Sequence, residues 1–196
     1  MAKDLKDITV SILVLCYNEK DFQKTLLTSI KEIEFPGKIQ TILVDNDSKD
    51  GSADFIEENF PWVELIRNNN NIGTPGFNLA LPQTKGDYVI WVGSDTKFEK
   101  DTITKMVKYL EENPKVGGLY PRVVDWEGMY LEGWYKFSRS LYFFSLLGRS
   151  DEKEYSAIGP GMIRKEILDT IKYIYDDDYF YSYEDVDLCL RMRVAG

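Results

Sequence analysis

Apolar positions along this chain follow two periods in turn, and the period changes at each polar or glycine-bearing break. Ile8-Thr9-Val10-Ser11-Ile12-Leu13-Val14-Leu15 is short, β-branched and nearly continuous, the pattern of a strand buried on both faces of a parallel sheet. Phe22, Leu26, Ile30 and Ile33 then recur at helical spacing and predict a helix with one apolar stripe, ending before Pro36-Gly37. The alternation repeats. Residues 39–44 read as a strand, and Asp50-Gly51-Ser52 opens a helix that carries Ala53, Ile56 and Phe60 and is closed by Pro61. Val63-Glu64-Leu65-Ile66 reads as a third strand, and Thr74-Pro75 offers a cap and a first-turn proline for a helix through Leu81. Residues 87–92 predict a fourth strand. Ile103, Met106, Val107 and Leu110 predict a helix stopped by Asn113-Pro114, and residues 116–120 a further strand. Strands alternating with helices require crossover connections, so the expected fold is α/β, with a mainly parallel central sheet flanked by helices.

The regularity breaks at 122–156. Trp126, Tyr130, Trp134, Tyr135, Phe137, Tyr142, Phe143 and Phe144 lie there among charges without a clear period, which predicts an insertion packed over a site. Beyond it, 163–173 predicts a helix, 175–183 is acidic and aromatic, and 185–194 predicts a last helix. With 196 residues, 43% apolar and 14% aromatic, the chain fits one domain able to bury a sheet. A net charge of -9, from 33 acidic against 24 basic residues, opposes binding to nucleic acid. Residues 1–7 are charged, and no apolar run reaches the roughly 18 residues needed to span a bilayer. Cys16 and Cys189 show no paired spacing of the disulfide or zinc type, and a reduced, cytosolic setting is expected. There is no histidine, so a general base must be a carboxylate and metal ligands must be mainly oxygen.

Three polar segments end apolar runs: Cys16-Tyr17-Asn18-Glu19, Asp45-Asn46-Asp47-Ser48 and Ser94-Asp95-Thr96. Strand ends of an open α/β sheet face a common crevice, so these segments point to one site. Asp45 can accept from a base edge or ribose, or serve a local cap; because Asp50 and Ser52 suffice for capping, Asp45 and Asn46 are expected to stay free for a ligand. Tyr17 can stack on a base or fill the layer between sheet and helix. Asp95 can hold a hard cation on diphosphate oxygens or close a turn. The Gly73-Thr74-Pro75-Gly76 turn, neither a P-loop nor a dinucleotide fingerprint, can bring backbone amides near phosphate at a helix start or serve loop geometry, the latter being expected. Glu184, Asp185 and Asp187 suit a helix start electrostatically. Crowding with Asp176, Asp177 and Asp178 gives a second reason for them, a task such as general base.

Read in order, the segments resemble glycosyltransferase family 2, inverting enzymes of the GT-A fold, with a likeness to its rhamnosyltransferase-like branch carrying a Glu-Asp motif. Residues 10–19 look like the opening strand and Tyr-Asn turn, and residues 42–52 like Val-Asp-Asn-Gly-Ser-x-Asp-Gly-Ser. Residues 69–78 are similar to the Asn-x-Gly stretch, Gly86 to Val89 with Ser94-Asp95 to the Asp-x-Asp strand end, and residues 183–191 to the Glu-Asp motif. The resemblance implies a nucleotide-diphosphate sugar donor contacted by Leu15, Cys16, Tyr17, Asn18, Glu19, Asp45, Asn46, Gly73, Asn78, Ser94 and Asp95. Tyr17, Asp45 and Asn46 would hold base and ribose, Asp95 would meet Mg2+ or Mn2+, and Asp185 with Glu184 would supply the base. It also implies a glycan or lipid-linked acceptor, with the 122–156 insertion on the acceptor side and peripheral contact at a cytosolic membrane face.

Ser94 stands where relatives often carry aspartate, which leaves Asp95 alone at that strand end. Relatives also continue past the last helix, so residues 1–196 are expected to be a catalytic domain lacking a C-terminal extension. The alternative is a glycosyltransferase-like module that binds nucleotide sugar or carbohydrate without turnover. A nucleotidyltransferase would want a basic, glycine-rich loop after the first strand, and a dehydrogenase Gly-x-Gly-x-x-Gly; neither is present.

Overall fold

The computed structural model describes residues 3–125, 127–129 and 159–195, and the backbone of 134–137, 143–145 and 155–157. The chain runs β1 (Thr9–Cys16), α1 (Lys20–Lys31), β2 (Lys38–Asn46), α2 (Ser52–Asn59) and β3 (Glu64–Asn68). A 3-10 helix (Thr74–Gln83), β4 (Tyr88–Gly93), α3 (Thr102–Glu112) and β5 (Gly118–Leu119) follow. Then come β6 (Trp134–Phe137), β7 (Phe143–Ser145), β8 (Tyr155–Ala157), β9 (Gly161–Arg164), α4 (Lys165–Ile171) and α5 (Glu184–Ala195). Six strands make one sheet in the order β3-β2-β1-β4-β9-β5, and β7-β6-β8 make a second, antiparallel one. β1 pairs in parallel with β2 and β4, and β2 with β3, whereas β9 runs antiparallel between β4 and β5. This is the expected α/β sheet flanked by helices, made mixed by one reversed strand.

Side-chain alternation along the strands divides the core in two. Val10, Ile12 and Val14 share one face with Leu43, Ile90 and Val92 and meet Leu26, Ile56, Ile103 and Leu110 of α1, α2 and α3. Leu13, Ile42, Val44, Val89 and Trp91 take the opposite face and meet Phe77, Leu168 and Leu188 from the 3-10 helix, α4 and α5. Both faces are covered, which is why β1 reads as an unbroken apolar run.

Two expected elements change. Residues 163–173 do not form one helix: 161–164 is β9 and the helix is Lys165–Ile171. Met162 and Ile163 are buried on opposite faces between β4 and β5, so tertiary pairing overrides the helical spacing. Gly161 permits the approach, since a Cβ there would lie 2.5 Å from Trp91 Cζ2. The helix expected from Thr74 is a 3-10 helix that runs on through Pro82 to Gln83. Of the aromatic insertion, Trp126, Tyr130 and Tyr142 lie outside the described residues, and its packing over a site is likewise not described.

Arg164 ends β9 by closing α3. Its guanidinium donates to the carbonyls of Leu110, Asn113 (3.4 Å) and Val116 (2.8 Å) and to the Tyr88 hydroxyl (3.0 Å), satisfying carbonyls that a helix C-terminus leaves open. Arg164→Met keeps the apolar stem and removes the donors. It should lower stability by about 2–3 kcal/mol, because hydrogen bonds to a charged group are the stronger ones. Urea unfolding at unchanged m-value checks this, and a change under about 0.5 kcal/mol would show the clamp to be idle.

Candidate active site

The carboxyl ends of β1, β2 and β4 open onto a cleft of about 1370 Å3, closed on the far side by residues 121–125 and by the turn 180–183 before α5. Leu15, Tyr17, Glu19, Asn46, Gly73, Asp95, Glu184 and Asp185 all line it. Segments some 140 residues apart along the chain therefore meet around one cavity, as the strand-end argument requires. The lining is acidic, with Glu19, Asp95, Glu99, Asp125, Glu184 and Asp185 against Lys97 and Arg122.

Alternation sorts the candidates. Leu15 follows Leu13 and lines the cleft, whereas Cys16 follows Val14 to the α1 side, where Gln23 Nε2 donates to its sulfur at 2.7 Å and burial pushes the thiol pKa up. Asn46 lines the cleft and Asp45 does not. The expectation that both stay free is corrected for Asn46: its amide donates to Asn71 (2.8 Å) and the Gly73 carbonyl (3.1 Å) and accepts from Asn68 (2.9 Å) and the Ile72 amide (3.3 Å). Asn46 is thus the hub that shapes the turn leading to Gly73. Asp45 Oδ2 accepts from the Ser48 amide at 3.2 Å, while Oδ1 is buried without a partner. Asn18, in the left-handed region at φ 55, donates its amide to the Ser48 hydroxyl, accepts at Oδ1 from the Lys49 amide and lies off the cleft lining. Ser94 is fully buried and donates to Glu19, so it braces a lining residue without lining the cleft itself. Asn78 is spent on the backbone of Ile174 and Tyr175.

Glu184 and Asp185 are 6% and 7% exposed, and Glu184 Oε2 has no partner among the described residues. Burial, opposed by a hydrogen bond from Tyr175 and reinforced by the neighbouring Glu184 charge, pushes the Asp185 carboxyl up to about 6. Crowding by 176–178 is not the cause: Asp177 and Asp178 are exposed, and hydrogen bonds from the Asp178 amide and the Tyr173 hydroxyl hold Asp176 below its ordinary value. Asp187 is a separate matter, paired with Arg191 at 2.7 Å one turn on. The residues overlooked in the sequence are Trp91 and Tyr175, buried behind Asp185, and the exposed Phe180, Tyr181 and Tyr183 on the rim. A lone tryptophan in a β-branched strand was the available signal, since a buried indole N–H needs an acceptor.

Gly73, at φ 72, has its φ in the left-handed region, and a Cβ on it would meet the Phe180 carbonyl oxygen at 2.0 Å. The Thr74 amide donates to that same carbonyl at 3.0 Å, tying this turn to the rim turn. The amides at this helix start are therefore consumed internally, in line with loop geometry as the role of the turn.

Residues 11–172 match the family described as Glycosyl transferase family 2. The chain belongs to that family. It is 29% identical over 115 residues to a poly-beta-1,6-N-acetyl-D-glucosamine synthase of Staphylococcus epidermidis, a match covering 56% of this chain and 27% of the relative. Staphylococcus aureus TarS 1-349 in complex with UDP-GlcNAc superposes with a TM-score of 0.71 at 20% identity, over 96% of this chain and 54% of that one. A mannosyltransferase from Pyrobaculum calidifontis, in complex with GDP-Man and Mn2+, gives 0.68 at 20% identity, over 95% and 52%. The structural likeness shows the fold, and the chain spans 19% to 37% of the length of the curated relatives it matches.

For this family 2 domain the buried acid has a consequence for folding. The unfolded chain releases the Asp185 proton near 3.8, and the folded chain holds it to about 6. Between those values the folded state binds more protons, so this group makes stability fall as pH rises through that window. At about 1.4 kcal/mol per pH unit the loss at neutral pH is about 3 kcal/mol. Asp185→Asn keeps an oxygen for Tyr175 and removes the charge. It should be more stable than the parent by about 1–3 kcal/mol at pH 7 and indistinguishable from it near pH 4. Denaturant melts of both proteins from pH 4 to 8 provide the check, and a constant difference across that range would contradict the buried charge.

Proposed function

We propose that this chain transfers a sugar from a nucleotide-diphosphate donor to a hydroxyl of a saccharide or lipid-linked saccharide, inverting the anomeric centre. The observation that carries the reading is a buried carboxylate of pKa about 6, Asp185, lining the same cleft as the strand-end groups Tyr17, Asn46 and Asp95. A base near 6 is ionised at neutral pH yet more basic than an ordinary aspartate, which suits it to take a proton in a transition state. Asp185 accepts the proton of the acceptor hydroxyl as that oxygen bonds to the anomeric carbon. The bond from that carbon to the diphosphate oxygen breaks, and its electron pair leaves with the nucleoside diphosphate. One displacement from the face opposite the leaving group inverts the centre. The UDP-GlcNAc and GDP-Man complexes of the solved relatives support a nucleotide-diphosphate donor.

On the donor side, Tyr17, 45% exposed at the end of β1, offers a face for a base, beside Leu15, Glu19 and Gly73. On the acceptor side, Phe180, Tyr181 and Tyr183 present exposed rings directly before the Glu184-Asp185 pair, and aromatic faces suit sugar rings. Among the described residues no group of three or more His, Cys, Asp or Glu side chains is placed to hold a metal. Asp95, exposed at the end of β4, nevertheless fits a hard cation of the magnesium kind, which takes one or two carboxylates together with substrate phosphates and water. An acidic cleft repels a diphosphate, so a cation at Asp95 answers a need the lining itself creates. When bound, such a cation supplies charge neutralisation for the departing diphosphate. The mannosyltransferase complex with Mn2+ supports that assignment.

Asp185→Asn should lower transfer at least a thousandfold with donor affinity within about threefold, as for loss of a general base. Calorimetry of UDP- and GDP-sugars, with and without Mn2+, reads the binding; radiolabelled transfer or donor hydrolysis reads the turnover. Asp95→Ala should remove the Mn2+ dependence of donor affinity. Unchanged turnover in Asp185→Asn sinks the base assignment, and donor binding without any turnover in the parent favours the non-catalytic module.

A further inference from the structure

In the wall of the cleft, three buried side chains from separate parts of the chain form one line of hydrogen bonds. The Trp91 indole N–H of β4 donates to the Tyr175 hydroxyl at 2.9 Å, and that hydroxyl donates to Asp185 Oδ1 at 2.6 Å. The direction is fixed by chemistry, because an indole nitrogen only donates and a carboxylate only accepts. The phenol proton therefore points at Asp185 and nowhere else.

The surroundings hold Tyr175 in that place. Asn78 Oδ1 accepts from the amides of Ile174 (2.9 Å) and Tyr175 (3.3 Å), while its Nδ2 donates to the Tyr175 carbonyl at 2.5 Å. Arg191 of α5, paired with Asp187, donates to the carbonyls of Tyr173 (2.9 Å) and Ile174 (2.6 Å), which locks the segment to the helix that carries Asp185. The Tyr175 ring packs edge-on against Phe77 and Trp91, with centroids 6.0 and 6.3 Å away.

We propose that Tyr175 is a positioning residue for the Asp185 base, occupying Oδ1, orienting the carboxylate toward the acceptor hydroxyl and keeping it ionised at neutral pH, with Trp91 polarising the phenol from behind. The proposal rests on the reading of Asp185 as the base and deepens it. The groups facing Asp185 are Glu184 on its own helix, the Gly159 amide before β9, the Tyr175 phenol, and Tyr120 beyond β5, whose hydroxyl contacts Cys189 at 3.5 Å. Burial and the Glu184 charge favour the protonated acid, while the Tyr175 hydroxyl and the Gly159 amide favour the carboxylate. Burial, and then the charge of Asp185, push the Tyr175 phenol well above its ordinary value, so it remains a donor across the physiological range. Asn78 and Arg191 act one step further back.

Tyr175→Phe keeps the ring and removes the donor. A hydrogen bond to a charged group is worth about 1.5–3 kcal/mol, so the Asp185 carboxyl should titrate about one to two pH units higher. The acid limb of the kcat profile should move with it, turnover at pH 6.5 should fall by roughly threefold to twenty-fivefold, and donor affinity should stay within about twofold. Trp91→Phe should move both in the same direction by less, as expected when one member of a cooperative chain is removed. The titration is read by carbon NMR of the Asp185 carboxyl, assigned through Asp185→Asn, on the protein without substrate. Joint movement of the carboxyl midpoint and the rate limb supports the proposal. A rate lowered equally at every pH with the midpoint unmoved in both variants overturns it and leaves Tyr175 as packing. Transfer that survives Asp185→Asn overturns the base reading, and the positioning role with it, while the midpoint still reports the hydrogen bond by itself; the two failures are thereby told apart.

Discussion

Two-sided burial of β1 and β4 is the constraint on which the rest depends. A strand covered on both faces cannot slip by one residue without exchanging every side chain between layers, so its register is strongly fixed. At the strand ends the same alternation decides which groups reach the cleft. Leu15 reaches it and Cys16 does not, and Asn46 does and Asp45 does not; in the turn past β4, Asp95 reaches it while Ser94 is turned inward to Glu19. Trp91 falls on the face that α5 covers for the same reason, opposite to Ile90 and Val92. The chemistry at the sheet edge is thus fixed by packing well inside it.

The elements that could be read from sequence are those whose signal is local. Strands β1, β2 and β4 and helices α1 and α3 each carry a full period of apolar residues, and the structure moves their ends by a few residues at most. β9 could not be read, because its four residues become a strand through partners at β4 and β5 rather than through their own pattern. The site shows the same division. Strand-end position identified Tyr17 and Asp95 as candidates, and the Glu-Asp motif at a helix start identified Asp185; neither signal needs contact information. It could not tell a side chain free for a ligand from one already committed: Asn46 and Asn78 have the composition of ligand contacts and are consumed by neighbouring backbone and amides. Tyr175 was missed for the opposite reason, as nothing near it in sequence announces the carboxylate ten positions on.

The cleft poses an electrostatic problem that its described residues do not solve. Its acidic side chains outnumber basic ones, and the chain as a whole is strongly negative, whereas a nucleotide diphosphate is an anion. Helix-start amides, a common remedy, are occupied at Thr74 by the Phe180 carbonyl and at Gly76 by that of Gly73. Among the described residues the positive charges on the lining are Lys97 and Arg122, and the proposed function adds a cation at Asp95. On the proposed reading, a cation that arrives with the substrate would neutralise both at once and make donor binding conditional on metal rather than on fixed positive charge.

The start of α5 gathers costs that packing alone does not explain. Ser182 and Tyr183, neither of them glycine, have φ of 82° and 68°, a conformation that costs about 1–2 kcal/mol per residue. Directly after them two adjacent carboxylates are buried, one oxygen of Glu184 without a partner. A helix N-terminus favours acidic residues but does not require their burial, and exposed ones would gain the same dipole term without desolvation. Strain and buried charge at one point are tolerated when the surrounding structure over-determines it. Here Arg191 binds the helix to the 173–174 backbone, Asn78 binds 174–175, and the Thr74 amide holds Phe180. Three independent ties converge on a short stretch whose most evident product is one buried carboxylate with its basicity raised, a property that on the proposed reading serves proton transfer rather than folding.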